Sequence, residues 1–411
     1  MKILWLSHLI PYPPKGGVLQ RSYHLLKETA KHNEVHLLAF NQKDLIAPLF
    51  DNMDEGIKEA NVHLSGFCKS VSFFPIPIDS SPIKKKIIAF KSLFTKYPYT
   101  INWLLSDEFG VRLKTIIEKE EFDFIHFDTI SLAPFKKICG DTATSLDHHN
   151  IESHMLFRRA RKDANWLKKM YFNQEGRRLE KYEKRLCPTF TFNFTCSDVD
   201  TERLLSISPA SKAHTIPNGV DINYFDPKPA TEKINRLIFA GTLNWYPNIE
   251  AVNFIADKIW PALKSVIPDI AIDIIGANPP KRLVELSKSD PDFNVHGFVD
   301  DVRPFFKEAK CYVCPIKDGG GTKLKILDAL SMGMAIVADD IACEGIEVTN
   351  NQDVIFATSG PEYIAAIKQI IKNNDLRTEL ETNARTLAIK KYSYDMIGKS
   401  LSNLYAQYNK Q

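Results

Sequence analysis

The chain has 411 residues, too many for one ordinary core, and its 44% apolar content gives two or three domains enough to bury. Lys and Arg number 53 against 50 Asp and Glu, so a formal net charge of +3 excludes the strongly basic character of the usual nucleic-acid binder. Seven scattered cysteines argue against a disulfide framework and point to a reducing compartment, the cytoplasm. The opening MKILWLSHLIPYPP has one lysine and a short apolar run without a small-residue cleavage pattern, so it is expected to be a first buried strand rather than a signal peptide. No window reaches the length of a membrane span, and any membrane contact is expected to be peripheral.

In chain order, KILWLSHL predicts a strand, GGVLQRSYHLLKETAKH a helix with Leu19, Tyr23, Leu26 and Ala30 on one face, and EVHLLAF a second strand. This is a β-α-β unit with a parallel sheet. Between residues 44 and 110, NVHLSGF and SVSFFPIP read as strands and the basic stretch after them as a helix. FDFIHFD and ATSLDHH read as two buried strands, and a charged helical region from Glu152 to Leu186 leads into TFNFTCS. A turn-rich passage, AHTIPNGVDINYFDPKPATEK, marks a connector. After it RLIFAGT, AIDIIGA, FNVHGF, CYVCPI and AIVAD predict five short strands separated by helices, and a last helix runs from about Tyr394 to Asn409. The fold class is therefore α/β, two Rossmann-like doubly wound domains facing a central cleft. The expected domains are 1–225, joined by the closing helix 394–411, and 226–393.

Cys311 and Cys314 form a C-x-x-C inside a strand-like run with no second pair, which favours a core strand over zinc or redox chemistry. Asp318 to Gly333, DGGGTKLKILDALSMG, has the strongest chemical signal. Gly319, Gly320 and Gly321 follow the strand CYVCPI, and Thr322 opens a helix, so unpaired amides and the positive helix end converge where bare backbone lets an anion approach. The alternative is a loop that needs positive φ with lysines facing solvent; position at a strand's carboxyl end favours phosphate. Lys323 and Lys325 are expected in the first turn, where cations are disfavoured unless something negative binds nearby. Asp328, further along, suits the hydroxyls of a ribose. Gly16 and Gly17 open a helix at the same topological place in the first domain.

The stretches PPKGGVLQRSYHLLKETAKHNEVHLLAF, HTIPNGVDINYF, LIFAGTLNWYPNIEA, NVHGFVDDVRPFF and PIKDGGGTKLKILDALSMGMAIVADDIACEGI resemble, in order and across both domains, the family 4 glycosyltransferases of the GT-B fold. PYPP, EGRRLEKYEKR and GGGTKLK are most similar to sugar transferases of bacterial surface-polysaccharide clusters. The resemblance implies transfer of a sugar from a nucleotide-diphosphate donor with retention of configuration, without metal or cofactor. The second domain would hold the donor and the first a saccharide or polyprenyl-diphosphate-linked acceptor.

It further implies donor contacts from Gly16, Gly17, Gly241, Gly319, Gly320, Gly321, Thr322, Lys325 and Asp328, with Phe298 and Val299 near the base. His149 aligns with the family's histidine, acting at the donor sugar through its ring or its carbonyl, and Asn150 and Glu152 lie on the acceptor side, Glu152 alternatively capping the following helix. Family members carry two glutamates eight positions apart around this loop; here those positions hold Gly320 and Asp328. GTLNWYPN lacks the usual cations, which assigns diphosphate neutralisation to Lys323 and Lys325. A catalytically silent nucleotide-sugar-binding subunit and a sugar-nucleotide epimerase are the alternative functions. From Arg158 to Arg185 eleven Lys/Arg stand against four Asp/Glu, and Lys84, Lys85, Lys86, Lys91 and Lys96 lie among Ile87, Ile88, Phe90 and Phe94. Both segments suit peripheral contact with an anionic membrane, at the inner face of the plasma membrane.

Overall fold

The structure, a computed structural model, describes residues 1–229, 232–319 and 321–408. The chain divides into two compact units, Met1–Pro217 with Ile397–Gln411, and Asn218–Met396. The sheet of the first unit has strands β1 (Lys2–Ser7), β2 (Glu34–Asn41), β3 (Ser70–Pro75), β4 (Phe124–Phe127), β5 (Ala143–His148), β6 (Phe192–Thr195) and β7 (Ala213–Thr215) in the order β3-β2-β1-β4-β5-β6-β7, all parallel. Strand β1 shows why the sequence reads as a continuous apolar run: Leu4 and Leu6 pack into the core on one face, Ile3 and Trp5 into the core on the other.

The second unit has β8 (Ile234–Ala240), β9 (Ala271–Ile275), β10 (Phe293–Gly297), β11 (Ala309–Cys314), β12 (Ala335–Ala338) and β13 (Ile355–Phe356) in the order β10-β9-β8-β11-β12-β13. With its strands counted from β8 this is the 3-2-1-4-5-6 arrangement of a doubly wound fold, in which the crevice for ligands opens at the carboxyl ends of the two central strands. In the first unit the same position lies between β1 and β4, in the second between β8 and β11.

Several expectations are corrected. NVHLS is not a strand: it ends a helix, Met53–Ser65, started by Asn52, whose side chain accepts from the amides of Asp54 and Glu55, and Ala60 and Leu64 bury its inner face. Capping and i,i+4 burial outweigh a short alternation of apolar residues. Region 152–186 is two helices, Glu152–Lys162 and Trp166–Leu186, the second capped by the Asn165 side chain. Strand β7 lies within the stretch read as connector, and β13, of two residues, has too little pattern to be seen in sequence. The closing helix, Tyr394–Tyr408, brings buried Tyr405 into the first unit, where its hydroxyl lies 2.8 Å from His126 Nδ1 and 3.0 Å from Ser145 Oγ. Gly398 is there because a Cβ would stand 2.2 Å from that of Glu28. Cys311 and Cys314 are free thiols fully buried in β11.

Candidate active site

In the first unit, register assembles the crevice. Leu6 pairs with Phe127, and Phe127 with Leu146, so the residues one step on, Ser7, Asp128 and Asp147, come side by side at the carboxyl edge. Asp128 is completely buried. Its Oδ2 accepts from Ser7 Oγ at 2.9 Å and Ser22 Oγ at 2.8 Å and lies 3.2 Å from His8 Nδ1; its Oδ1 lies 3.1 Å from His149 Nε2. Burial alone would raise its pKa, but the adjoining His149 and His8 hold it well below the usual carboxylate range. Reciprocally, burial works against the charged form of His149 while Asp128 favours it, and the balance raises the histidine's pKa. Asp147 is held beside this cluster by Arg21, buried and bidentate at 2.9 and 2.7 Å, whose remaining nitrogen donates to the carbonyls of Ile216 and Pro217.

Ser22 and Arg21 lie in the first turns of the Gly17–Ala30 helix, so the helix opened by Gly16 and Gly17 supplies hub residues as well as amides. Gly16 has φ +89, in the left-handed region that favours glycine.

The paired histidines are thereby separated. His148, the last residue of β5, is buried with Nε2 3.2 Å from Asn193 Oδ1, and burial lowers its pKa. The His149 side chain is mostly buried, 12% exposed, and its carbonyl accepts from Cys196 Sγ at 3.4 Å. Asn150 follows, partly exposed. Glu152 is the first residue of the next helix and not its cap; that position is Ile151, which has no side-chain oxygen to offer. Burial raises the Glu152 pKa against the opposing pull of His149. Three of these residues escaped the sequence reading: His8 and Asp128 because a lone polar residue at a strand end has no local pattern, and Arg21 because a single arginine on a helix reads as a solvated one.

In the second unit, Gly241 follows β8 and is packed so closely that a Cβ there would lie 2.3 Å from Lys325 Nζ and 2.9 Å from Asn248 Nδ2. Lys325 reaches back from the helix Leu324–Ser331 to donate to Asn248 Oδ1 at 2.5 Å, 5.1 Å above the Phe239 ring. A lysine from the glycine loop's helix thus stands against the cation-free loop after β8. Burial pushes its pKa down to about 8.

Gly319 and Gly321 have φ +107 and +69. A Cβ at Gly319 would also press within 2.9 Å of the Trp245 ring, and Tyr246 Oη donates to Asp318 Oδ2 at 2.6 Å. The loop therefore does need positive φ. Gly320 lies outside the described residues.

The helix begins at Leu324, two residues later than the expected Thr322, with Lys323 as its cap residue. Lys323 does not face solvent: it is 4% exposed, and its Nζ donates to the carbonyl of Gly319 at 2.6 Å and lies 3.7 Å from Glu344 Oε2. Thr322 Oγ1 is buried with no hydrogen-bond partner among the described residues. Asp328, a turn beyond the cap, is pushed up to about 7 by burial, against Lys325. Phe298 and Val299 follow β10; Phe298 is exposed while Val299 packs on the core. Asn248 and Glu344, which hold the two lysines, were not singled out in the sequence.

Residues 234–373 match the family described as glycosyl transferases group 1. Along nearly its whole length the chain is similar to an uncharacterized 44.6 kDa protein in the cps region of Klebsiella pneumoniae, 22% identical over 97% of this chain and 98% of that one. Among solved structures, HepE of Anabaena in complex with UDP superposes with a TM-score of 0.66 at 14% identity, covering 99% of this chain and 100% of that chain. Sucrose-phosphate synthase from Thermosynechococcus elongatus superposes at 0.67 with 15% identity, covering 100% of both. The fold is the GT-B fold, and the match to glycosyl transferases group 1 lies within its second unit.

Proposed function

We propose that this glycosyltransferase moves a sugar from a nucleoside-diphosphate sugar to a saccharide acceptor with retention of anomeric configuration, in the synthesis of a surface polysaccharide. One observation supports the donor reading most: at the carboxyl end of β11, inside the stretch that matches group 1, bare glycine backbone, a Thr322 hydroxyl with no partner among the described residues and two inward lysines converge. The similar HepE was solved with UDP and with UDP-glucose, which favours a donor of that chemical class.

On this reading the diphosphate displaces the Gly319 carbonyl from Lys323, draws Lys325 toward its charge, and accepts from the Thr322 hydroxyl. Asp328 accepts from the ribose hydroxyls, most strongly and with both oxygens once it has lost its proton. Binding and deprotonation are therefore linked. Phe298 and Val299 border the base. In the first unit, the His149 ring, fixed through Nε2 by Asp128, meets the sugar or the charge developing at its anomeric carbon. The bond from that carbon to the diphosphate oxygen breaks, the acceptor oxygen takes its place on the same face, and the departing phosphate oxygen receives the acceptor's proton. Lysine ammonium groups carry the neutralising role, so the reaction is expected to proceed without a metal ion.

A thermal-shift panel of UDP, GDP, ADP and dTDP with their sugar conjugates tests donor binding, because a ligand of the native state raises the melting temperature. NMR of the product's anomeric proton tests retention. Binding without turnover would indicate a silent subunit, and donor conversion without acceptor an epimerase.

A further inference from the structure

Two surface segments of the first unit lie outside the chemistry described so far. The helix Pro82–Ser92 and the turn after it expose Ile83, Ile87, Phe90 and Phe94, a stripe at i, i+4, i+7 and i+11; Phe90 is 65% and Phe94 78% exposed. Between Asp79 and Asp107 there is no acidic residue, and Lys84, Lys86, Lys91 and Lys96 are exposed beside the stripe. The opposite side of this helix is anchored. Ile88 packs on the core, Lys85 is paired with Asp79 at 3.1 Å, and Arg178 donates to the carbonyls of Ser92, Thr95 and Tyr97.

The second segment is the tip of the antiparallel pair Glu152–Lys162 and Trp166–Leu186, held together by Arg159 over the Phe172 ring and by Phe157 against Gly176. Trp166, Leu167 and Met170 are each about three-fifths exposed or more, beside exposed Lys168 and Lys169. Both segments issue from the carboxyl edge of the sheet, one after β3 and one after β5, the edge that bears Asp128 and His149.

We propose that this carboxyl edge docks on an anionic lipid surface, with Phe90, Phe94 and Trp166 entering the interface and the lysines meeting lipid headgroups. Large exposed apolar side chains among a majority of cations, with Asp44 paired to Lys85 and Asp163 at the helix tip as the neighbouring carboxylates, match a negatively charged, laterally extended apolar phase. A protein groove would instead require acceptors matched to individual lysines. The docking is independent of the transfer reaction; where both hold, the acceptor is carried by lipid.

The full chain is sedimented with vesicles of phosphatidylcholine with and without phosphatidylglycerol. Binding is expected only with the anionic lipid and is expected to weaken with salt. The pair Phe90→Ala and Phe94→Ala, and separately Lys84→Glu with Lys86→Glu, should each reduce it about tenfold or more at an unchanged melting temperature, because these side chains are exposed. Equal binding to neutral vesicles, absence of binding, or unaltered binding by both variants would overturn the proposal. Sedimentation velocity adds one further outcome: a dimer abolished by Phe90→Ala and Phe94→Ala, without vesicle binding, would assign the face to a second copy of the chain. None of these readouts needs turnover, so they fail or succeed apart from the transferase reading.

Discussion

The crevice of the first unit, beside β1 and β4, is filled with groups that already satisfy one another: one buried carboxylate shared by two hydroxyls and two imidazoles, and a second locked to Arg21. The matching crevice of the second unit, beside β8 and β11, is built of glycine backbone, with a lysine bonded to a neutral carbonyl and only loosely paired with Glu344 at 3.7 Å, and a buried hydroxyl facing nothing described. The first is preorganised; the second is completed by what binds it. A preorganised site fixes the orientation of a reacting group at no further cost during reaction, whereas an incomplete one converts ligand charge into affinity.

The most direct way to break this contrast is Lys323→Ala. It should lower turnover about 100-fold or more, the scale of losing a charge-stabilising donor, while the fold survives. Steady-state kinetics decides, and unchanged values would remove the residue from the donor site. His149→Ala should lower kcat by about 10- to 100-fold and leave nucleotide affinity near wild type. An equal loss of both would place His149 with the donor's nucleotide instead.

Asp128→Asn sharpens the first half of the comparison, since it retains shape and removes charge. We expect a loss of about 1–3 kcal/mol in denaturant unfolding, because several buried donors lose a charged acceptor. The wild-type contribution of Asp128 has a definite sign. Its folded pKa is depressed, so the stabilisation is present above the ordinary carboxylate pKa and is lost as pH falls through the folded value.

Asp328 has the opposite sign. Its proton is held more tightly in the folded chain, so stability declines as pH rises from its ordinary 3.8 toward about 7 and levels beyond. Asp328→Asn should flatten that decline in a melting series across pH. It should also weaken nucleotide binding about tenfold, with little further loss for a 2′-deoxy nucleotide. A full further loss with the deoxy ligand would show that Asp328 does not read the ribose.

How much was legible follows the same division. Most of the second unit's candidate site lies in one stretch, Asp318 to Asp328, where glycines, cations and a carboxylate keep fixed spacing from a strand end, so that part has a local pattern, whereas Gly241, Asn248 and Glu344 join it only through the fold. The first unit's hub joins residues 7, 8, 22, 128 and 149, distant in sequence and brought together only by parallel register. FDFIHFD identified the strand but could not show that its last aspartate is shared by four partners. Lys323 illustrates a third case: it was expected in the first turn and proves to be the cap residue, and the contacts its side chain makes, with the Gly319 carbonyl and Glu344, are set by tertiary neighbours that have no local pattern.

The closing helix, whose Tyr405 sits between His126 and Ser145, also orders events during synthesis. The second unit is one uninterrupted stretch and emerges from the ribosome whole, whereas the first emerges early but lacks a piece of its core until the last residues follow. The nascent first unit waits, its face at Phe124, His126 and Phe194 uncovered, while the second unit is made. It is in that interval that the chain is most exposed to chaperones and to aggregation.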